Sequence, residues 1–253
     1  MPDSVLRIKD LLVERGGREV LHRISLDVHR GEITALLGAN GAGKSSLVLT
    51  TCGMLPAKSG SVSADGIELL GQSPDAVRRN GIAIVPEGHP VLNNISVLDN
   101  LRAAALMHAR STADREVDAA LDVFPELRER LNVAGQNLSG GQKQMVVVAQ
   151  ALICRPRYLL IDELSFGLAP AIVQRIGNTI AMIARRGVGV LLIEQFTTLA
   201  LKLATNAYVM ERGNITFAGT AEALRQRPEV LHGAYLASGK ISASQERGRM
   251  PAP

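Results

Sequence analysis

Apolar residues along this chain follow two periods, and the change of period marks its parts. Val5–Lys9, Ile24–Val28 and Ile33–Leu37 are short apolar or alternating runs that read as strands, separated by polar turns that include Glu14–Glu19 with its Gly-Gly pair. Pro56–Gly60 turns into Ser61–Ala64 and Ile67–Leu70, and the Asp65-Gly66 pair between these runs marks a hairpin. Ser73–Asn80 opens with Ser-Pro-Asp and reads as a short helix, and Ile82–Val85 as a buried strand ending at Pro86. From Ser96 to Arg130 the spacing becomes helical (Leu98, Leu101, Ala105, Leu106) and no strand-like run interrupts it. Further on, helices are expected over Leu138–Ala149, Pro170–Arg186 and Thr198–Ala204. They alternate with strands at Tyr158–Ile161, Gly189–Ile193, Ala207–Met210 and Ile215–Ala218, the last two around Gly213-Asn214. This alternation predicts an α/β fold with a parallel-rich core sheet, an antiparallel β subdomain and an inserted helical subdomain. One domain spans 1–237, with the sheet portion over 1–90 and 139–237 and the helical insertion at about 91–138. Ser238–Pro253 is polar and non-periodic, and is expected to be a flexible tail.

The stretch Gly38–Ser46, GANGAGKSS, fits G-x-x-x-x-G-K-[ST] through Gly38, Gly43, Lys44 and Ser45. Ile33–Leu37 supplies a strand before it, and Ser46–Cys52, free of Pro and Gly, continues a helix after it. Strand, glycine-rich turn and helix are the context that makes the motif a phosphate-binding loop. In such a loop the backbone of Gly38, Ala39, Asn40, Gly41, Ala42 and Gly43 curls so that successive N–H groups face one anion, with the helix N-terminus behind them at Ser46. Lys44 would neutralise the β- and γ-phosphates, and the Ser45 hydroxyl would ligate Mg²⁺. The chain is expected to bind a nucleoside triphosphate.

Composition narrows the partners. With 253 residues, 46% hydrophobic and 21% charged, the chain can bury one large core. Aromatics are 3% and Trp is absent, which argues against a stacking platform for single-stranded nucleic acid. No Lys/Arg block is long enough for a nucleic-acid arm, and a net charge of +4 suits an anionic ligand or a membrane-adjacent partner. Cys52 and Cys154 both fall in helix-like apolar stretches and are expected to be buried free thiols in a reducing compartment. MPDSVLRIKD lacks the apolar core of a signal peptide, and no run approaches the ~18 apolar residues of a membrane span. A cytosolic chain is expected, with any membrane role supplied by a partner.

Two further stretches complete the chemistry. Tyr158–Ile161 ends in Asp162-Glu163, delivering two carboxylates at the end of a strand where open α/β sheets bind ligands. Asp162 can hold Mg²⁺ through its shell, and Glu163 can take the proton from an attacking water. Leu138–Gln142, LSGGQ, places Ser139 to cap a helix while Gly140 and Gly141 expose backbone N–H groups, making a second anion site. One chain needs only one γ-phosphate site for one nucleotide. Two chains facing head to tail need both.

LSGGQ together with GANGAGKSS and YLLIDE resembles an ABC-type ATPase cassette over residues 5 to about 237. VPEG at Val85–Gly88, GLAP at Gly167–Pro170 and Glu194-Gln195 resemble, more narrowly, the second ATPase of branched-chain amino acid importers and related urea and amide uptake cassettes. The resemblance implies a P-loop NTPase that hydrolyses ATP with Mg²⁺ at the cytoplasmic face of the inner membrane. It also implies pairing with a second cassette, its own copy or a homologue, on two integral membrane permease subunits fed by a periplasmic binding protein. It places Glu87 where most cassettes have the glutamine that senses Mg²⁺, Gln195 where they have the switch histidine, and Ser139, Gly140, Gly141 and Gln142 at the partner's γ-phosphate. Catalysis would then rest on Glu163, Lys44 and Gln195, and Mg²⁺ on Ser45, Glu87 and Asp162. A carboxylate at 87 still offers oxygen to Mg²⁺, while glutamine at 195 can donate a hydrogen bond but cannot carry a proton.

Three positions depart from the cassette pattern. Arg15 stands near the usual adenine-stacking aromatic, and either stacks its guanidinium on the base or is a solvated turn residue. Leu164 replaces the usual proline after Asp162-Glu163 and is expected to loosen that turn, and Phe166 is bulky for a cassette interface. A soluble ABC ATPase serving a scaffold, as in iron–sulfur assembly, is the alternative. The fifty or so residues between Glu87 and Leu138 leave no room for a long coiled-coil insertion, and no cysteine cluster offers a zinc site.

Overall fold

The computed structural model describes residues 4–88, 90–165, 167–195, 197–231 and 233–235; Phe166 and the tail 238–253 lie outside them. Among the described residues β1 (Val5–Arg15), β2 (Arg18–His29), β4 (Ser59–Ala64) and β5 (Ile67–Glu68) form an antiparallel sheet in the order β2-β1-β4-β5. A second sheet runs β10-β9-β3-β8-β7-β6, built from β3 (Ile33–Leu37), β6 (Ile82–Val85), β7 (Tyr158–Asp162), β8 (Gly189–Glu194), β9 (Asn206–Glu211) and β10 (Asn214–Thr220). It is parallel except at its β10 edge.

Side-chain alternation in the central strands divides the core between two faces. Ala35 and Leu37, Leu159 and Ile161, and Val190 and Leu192 share one cluster. It takes in α3 (Val97–Ala105), α4 (Arg110–Val123), α5 (Gly140–Ile153), α6 (Pro170–Arg185) and α7 (Thr197–Leu203) through residues such as Leu101, Leu121, Val146, Ile180 and Ala200. Leu36, Leu160, Leu191 and Ile193 point the other way, against α1 (Lys44–Thr51), α2 (Pro74–Arg79) and the inner face of the antiparallel sheet. The inserted helical block is α3, α4 and a 3₁₀ turn at Pro125–Arg130, where Pro125 ends the helical spacing. Arg175 of α6 pins that block, donating to Glu126 at 2.9 Å and to the Val123 carbonyl at 3.0 Å, with its guanidinium 5.5 Å from the Phe124 ring centre.

Several boundaries differ from the sequence expectation. Glu14–Glu19 is not a loop: β1 runs through Arg15, β2 starts at Arg18, and only Gly16-Gly17 turns, with φ of 57° and 76°. The polar ends pair in register, Glu14 with Glu19 and Arg15 with Arg18, and the Lys58 ammonium bridges Glu14 and Glu19 across the hairpin. The expected strand Ile67–Leu70 is only two residues long, since Leu69 turns in to the core. A short helix, α8 (Ala221–Arg225), has too few turns to show a period; the Thr220 hydroxyl caps it by accepting from the Ala223 N–H at 3.1 Å.

One polar cluster joins the two sheets. Asp65, in the β4–β5 hairpin at φ 50°, accepts from Arg157 at 2.5 Å and from the Tyr158 hydroxyl, while Arg157 also donates to the Asn80 carbonyl at 2.7 Å. Burial, then the Asp65 carboxylate, pushes the Tyr158 phenol above its ordinary value. Asp65→Asn keeps the size and the left-handed backbone but removes the charge facing Arg157. It should destabilise the chain by about 2 kcal/mol in urea unfolding; a loss below about 0.5 kcal/mol would show the cluster to be neutral decoration.

Candidate nucleotide site

Parallel register brings four strand ends to one edge of the sheet. Leu37 pairs with Glu194, Asp162 with Ile193 and Val85 with Ile161. Just past these pairs come Gly38, Gln195 and Glu163, and, beyond Pro86, Glu87, so sequence-distant groups emerge side by side.

Between β3 and α1 the loop from Gly38 to Gly43 is held by close backbone approaches. A Cβ at Gly38 would lie 2.3 Å from the Met210 carbonyl oxygen; at Gly43, φ 110°, it would lie 2.8 Å from Leu21 Cδ2 and 2.9 Å from the Val20 oxygen. Gly213 N–H donates to the Ala42 carbonyl at 2.8 Å, bracing the loop from the β9–β10 turn. Lys44 is buried, and its Nζ donates to Gly38 O at 2.7 Å and Ala39 O at 3.1 Å. Burial holds its pKa below the usual lysine value, opposed by the nearby carboxylates of Glu163, Asp162, Glu194 and Glu87.

The Ser45 side chain lies beside Asp162, whose Oδ1 is buried without a hydrogen-bond partner. Burial raises the pKa of Asp162 and of Glu163, and the Glu87 charge adds to both shifts. Glu163 sits at φ 53°, with its N–H donating to Ile193 O at 3.0 Å, so the chain turns sharply as it leaves β7. A cavity of about 430 Å³ brings together Arg15, Asn40, Gly41, Gly43, Lys44, Ser45, Ser46, Glu87 and Glu163, with Val20 as a wall. Arg15 therefore ends β1 at the cavity rim.

Ser139–Gln142 does not line that cavity. Ser139 Oγ accepts from the Gln142 N–H at 3.3 Å, and Gln142 Oε1 accepts from the Ser139 N–H at 3.0 Å, a reciprocal cap on α5. Gly140 is exposed, whereas Gly141 packs so closely on α6 that a Cβ would lie 2.8 Å from Ile172 Cγ2.

Three groups at this edge escaped the sequence reading as site residues. Glu194, only 1% exposed, accepts from Ser165 Oγ at 2.8 Å and from the Ser165 N–H at 3.2 Å. Leu164, in the place of the usual proline, buries its side chain fully next to this clamp. The sequence signal for Glu194 was an acid ending an otherwise apolar strand. Tyr235 donates its hydroxyl to the Gln195 carbonyl at 2.9 Å, and nothing periodic around it foretold that contact.

Both cysteines are free thiols, and both line a separate groove of about 400 Å³ between α2, β6, α3 and α5. Burial pushes the Cys52 thiol up to about 12. Cys154, expected to be buried, is partly buried at the end of α5 on the groove wall.

A glycine loop opening a helix after a parallel strand, with a buried lysine and a strand-end Asp-Glu beside it, defines a P-loop nucleotide-binding ATPase. The ABC transporter family profile matches residues 21–165. The chain is 42% identical over 221 residues to a high-affinity branched-chain amino acid transport ATP-binding protein of Pseudomonas aeruginosa, covering 87% of this chain and 94% of that one. It is 34% identical to a probable branched-chain amino acid transport ATP-binding protein of Archaeoglobus fulgidus, over 81% of this chain and 87% of that one. At 31% it also matches the lipopolysaccharide export ATP-binding protein of Escherichia coli, over 90% and 95%. A solved ATP-binding cassette of an ABC transporter in its ADP conformation superimposes with a TM-score of 0.79 at 26% identity, covering 90% of this chain and 94% of that one. The chain belongs to the ATP-binding subunits of the ABC transporter family.

Because burial raises the Glu194 pKa, the folded chain holds a proton at this position at pH values where the unfolded chain has lost it. Stability from this group is therefore lost as pH rises from the unfolded glutamate range through the raised folded value. Glu194→Gln removes that dependence. Its unfolding free energy relative to the parent should rise between pH 4 and pH 8 in parallel denaturant titrations; a pH-independent difference would refute the assignment.

Proposed function

We propose that this chain is the ATP-hydrolysing subunit of an importer for branched-chain amino acids or related amide and urea-type solutes. It acts as one of two cassettes under two membrane subunits at the cytoplasmic face of the inner membrane. The observation that carries the site reading is the register that sets Lys44, Glu163, Glu87 and Gln195 around one strand edge. Substrate class rests on the transport proteins named above, and the scaffold reading has no relative among them. No helix among the described residues is long and apolar enough to cross a membrane, which fits a peripheral subunit.

In this reading the loop N–H groups and Lys44 grip the phosphates, with Lys44 trading the Gly38 and Ala39 carbonyls for phosphate oxygen. The unpartnered Asp162 Oδ1 beside the Ser45 hydroxyl suits a divalent cation. When bound there with Glu87 nearby, Mg²⁺ supplies charge neutralisation on the β- and γ-phosphates. Glu163, with its raised proton affinity, accepts the proton of the attacking water, and the Gln195 amide donates to the γ-phosphate. Ser139, Gly140, Gly141 and Gln142 close the partner cassette's nucleotide, which accounts for their position outside this chain's own cavity. Arg15 stacks on the base from the rim. The apolar groove holding Met54, Val77, Pro90 and Ala104 adjoins the 86–88 turn and receives a helix of a membrane subunit.

Phosphate release with Mg-ATP tests the reading. Glu163→Gln should lower kcat by about 10²–10⁴-fold, and membranes carrying the cognate permease subunits should raise turnover of the parent chain. Turnover indifferent to those membranes, but raised by a soluble scaffold, would replace the importer with the alternative. Arg15→Ala should raise KM for ATP about fivefold, a loss near 1 kcal/mol; an unchanged KM would leave Arg15 a solvated rim residue.

A further inference from the structure

β3 and β8 part company just above their last paired residues, Leu37 and Glu194. The next position in that register would set Gly38 beside Gln195, the first residue of the phosphate loop beside the switch residue. A side chain from the far C-terminal part of the chain occupies the place of the missing rung. The Tyr235 hydroxyl donates to the Gln195 carbonyl at 2.9 Å, and the Gly38 backbone lies beside the same phenol. A phenol is one donor and an acceptor at once, so a single oxygen can bridge an N–H on one strand and a C=O on its neighbour.

The segment bearing Tyr235 is itself anchored. Ala234 is 2% exposed, and Val230 and Leu231 pack on the same cluster as the parallel sheet. Upstream, Arg225 donates to the Leu201 carbonyl at 2.7 Å and Ala221 N–H to the Thr205 carbonyl at 2.9 Å, tying α8 to the helix and loop that follow the switch. Glu194 is meanwhile clamped to Ser165 from the other side. The turn carrying Gln195 is thus held between the segment after Glu163 and the C-terminal segment.

We propose that Tyr235 is a positioning residue for hydrolysis, its hydroxyl setting the spacing between Gly38 and Gln195 so that the Gln195 side chain meets the γ-phosphate held by the loop. The C-terminal segment is then part of the catalytic frame. This inference rests on the role given to Gln195 above. It acts on turnover more than on nucleotide capture, because the loop N–H groups and Lys44 that grip the phosphates keep their own braces at Gly213 and Met210.

The test is a kinetic cycle on the full-length chain with Tyr235→Phe, Gln195→Ala and the double variant. Tyr235→Phe keeps the ring and removes only the bridge. The expected result is a kcat about three- to tenfold lower with KM within about twofold, and a melting temperature within about 2 °C of the parent. In the Gln195→Ala background the same substitution should have almost no further effect. Parental kcat in Tyr235→Phe, an equal further loss in the double variant, or a kcat loss that tracks a fall in melting temperature would each overturn the inference. If Gln195→Ala alone keeps parental kcat, the switch role of Gln195 fails. If Gln195→Ala loses turnover and Tyr235→Phe does not, only the role of Tyr235 fails.

Discussion

The parallel register of β3, β8, β7 and β6 is the constraint on which the site depends. Each of these strands is apolar on both faces because each is covered on both faces, so sequence along the strand carries no catalytic information. Chemistry begins where pairing ends. Shifting any one strand by a residue would flip its side chains between the two core clusters and also withdraw its terminal acid or loop from the shared edge. Packing and function are thereby specified by the same alignment: the burial of Ile161 and Ile193 on opposite faces fixes where Asp162 and Gln195 emerge.

Electrostatics at that edge are deliberately unbalanced. Asp162, Glu163, Glu87 and Glu194 all act on the single buried ammonium of Lys44, which the loop carbonyls also hold. Carboxylates crowded into a half-buried space raise one another's proton affinity, and burial raises it further, as seen for Asp162 and Glu163. A polyphosphate entering alone would add more negative charge to this edge. In the proposed reading the nucleotide arrives with a divalent cation, and the unpartnered Asp162 oxygen beside Ser45 is where that cation would sit.

Most of the fold was legible because its signals are local. Periodicity separated strands from the helical insertion, Ser73, Ser96 and Ser139 stand as helix caps where the sequence placed helix starts, and the Asp65-Gly66 hairpin joins β4 to β5. What escaped was set by contacts between distant residues. The β1–β2 hairpin looked like a loop because its strand ends are polar, and the Lys58 ammonium that meets Glu14 and Glu19 across it comes from far along the chain. Leu164 looked like a weakness because proline is stiff; its side chain is fully buried next to the Glu194–Ser165 clamp, which no local signal marks. Motif residues could be named from spacing, whereas the side chains that hold them in place could not.

That difference has a physical origin. A phosphate loop must present backbone N–H groups at fixed spacing, so its glycines and lysine are readable as a string. The residues that steady it need only reach the right main-chain atom, and many positions in the chain could have done so. Gly38 is hemmed in by Met210, Gly43 by Val20 and Leu21, and the gap between Gly38 and Gln195 by Tyr235, three contacts from three separate elements. Each contact is made to backbone, so none leaves a mark beside the motif it supports. The groups proposed for catalysis lie at strand ends that the sheet delivers, and the contacts that brace them come from the hairpin, the last strands and the C-terminal segment that close around them.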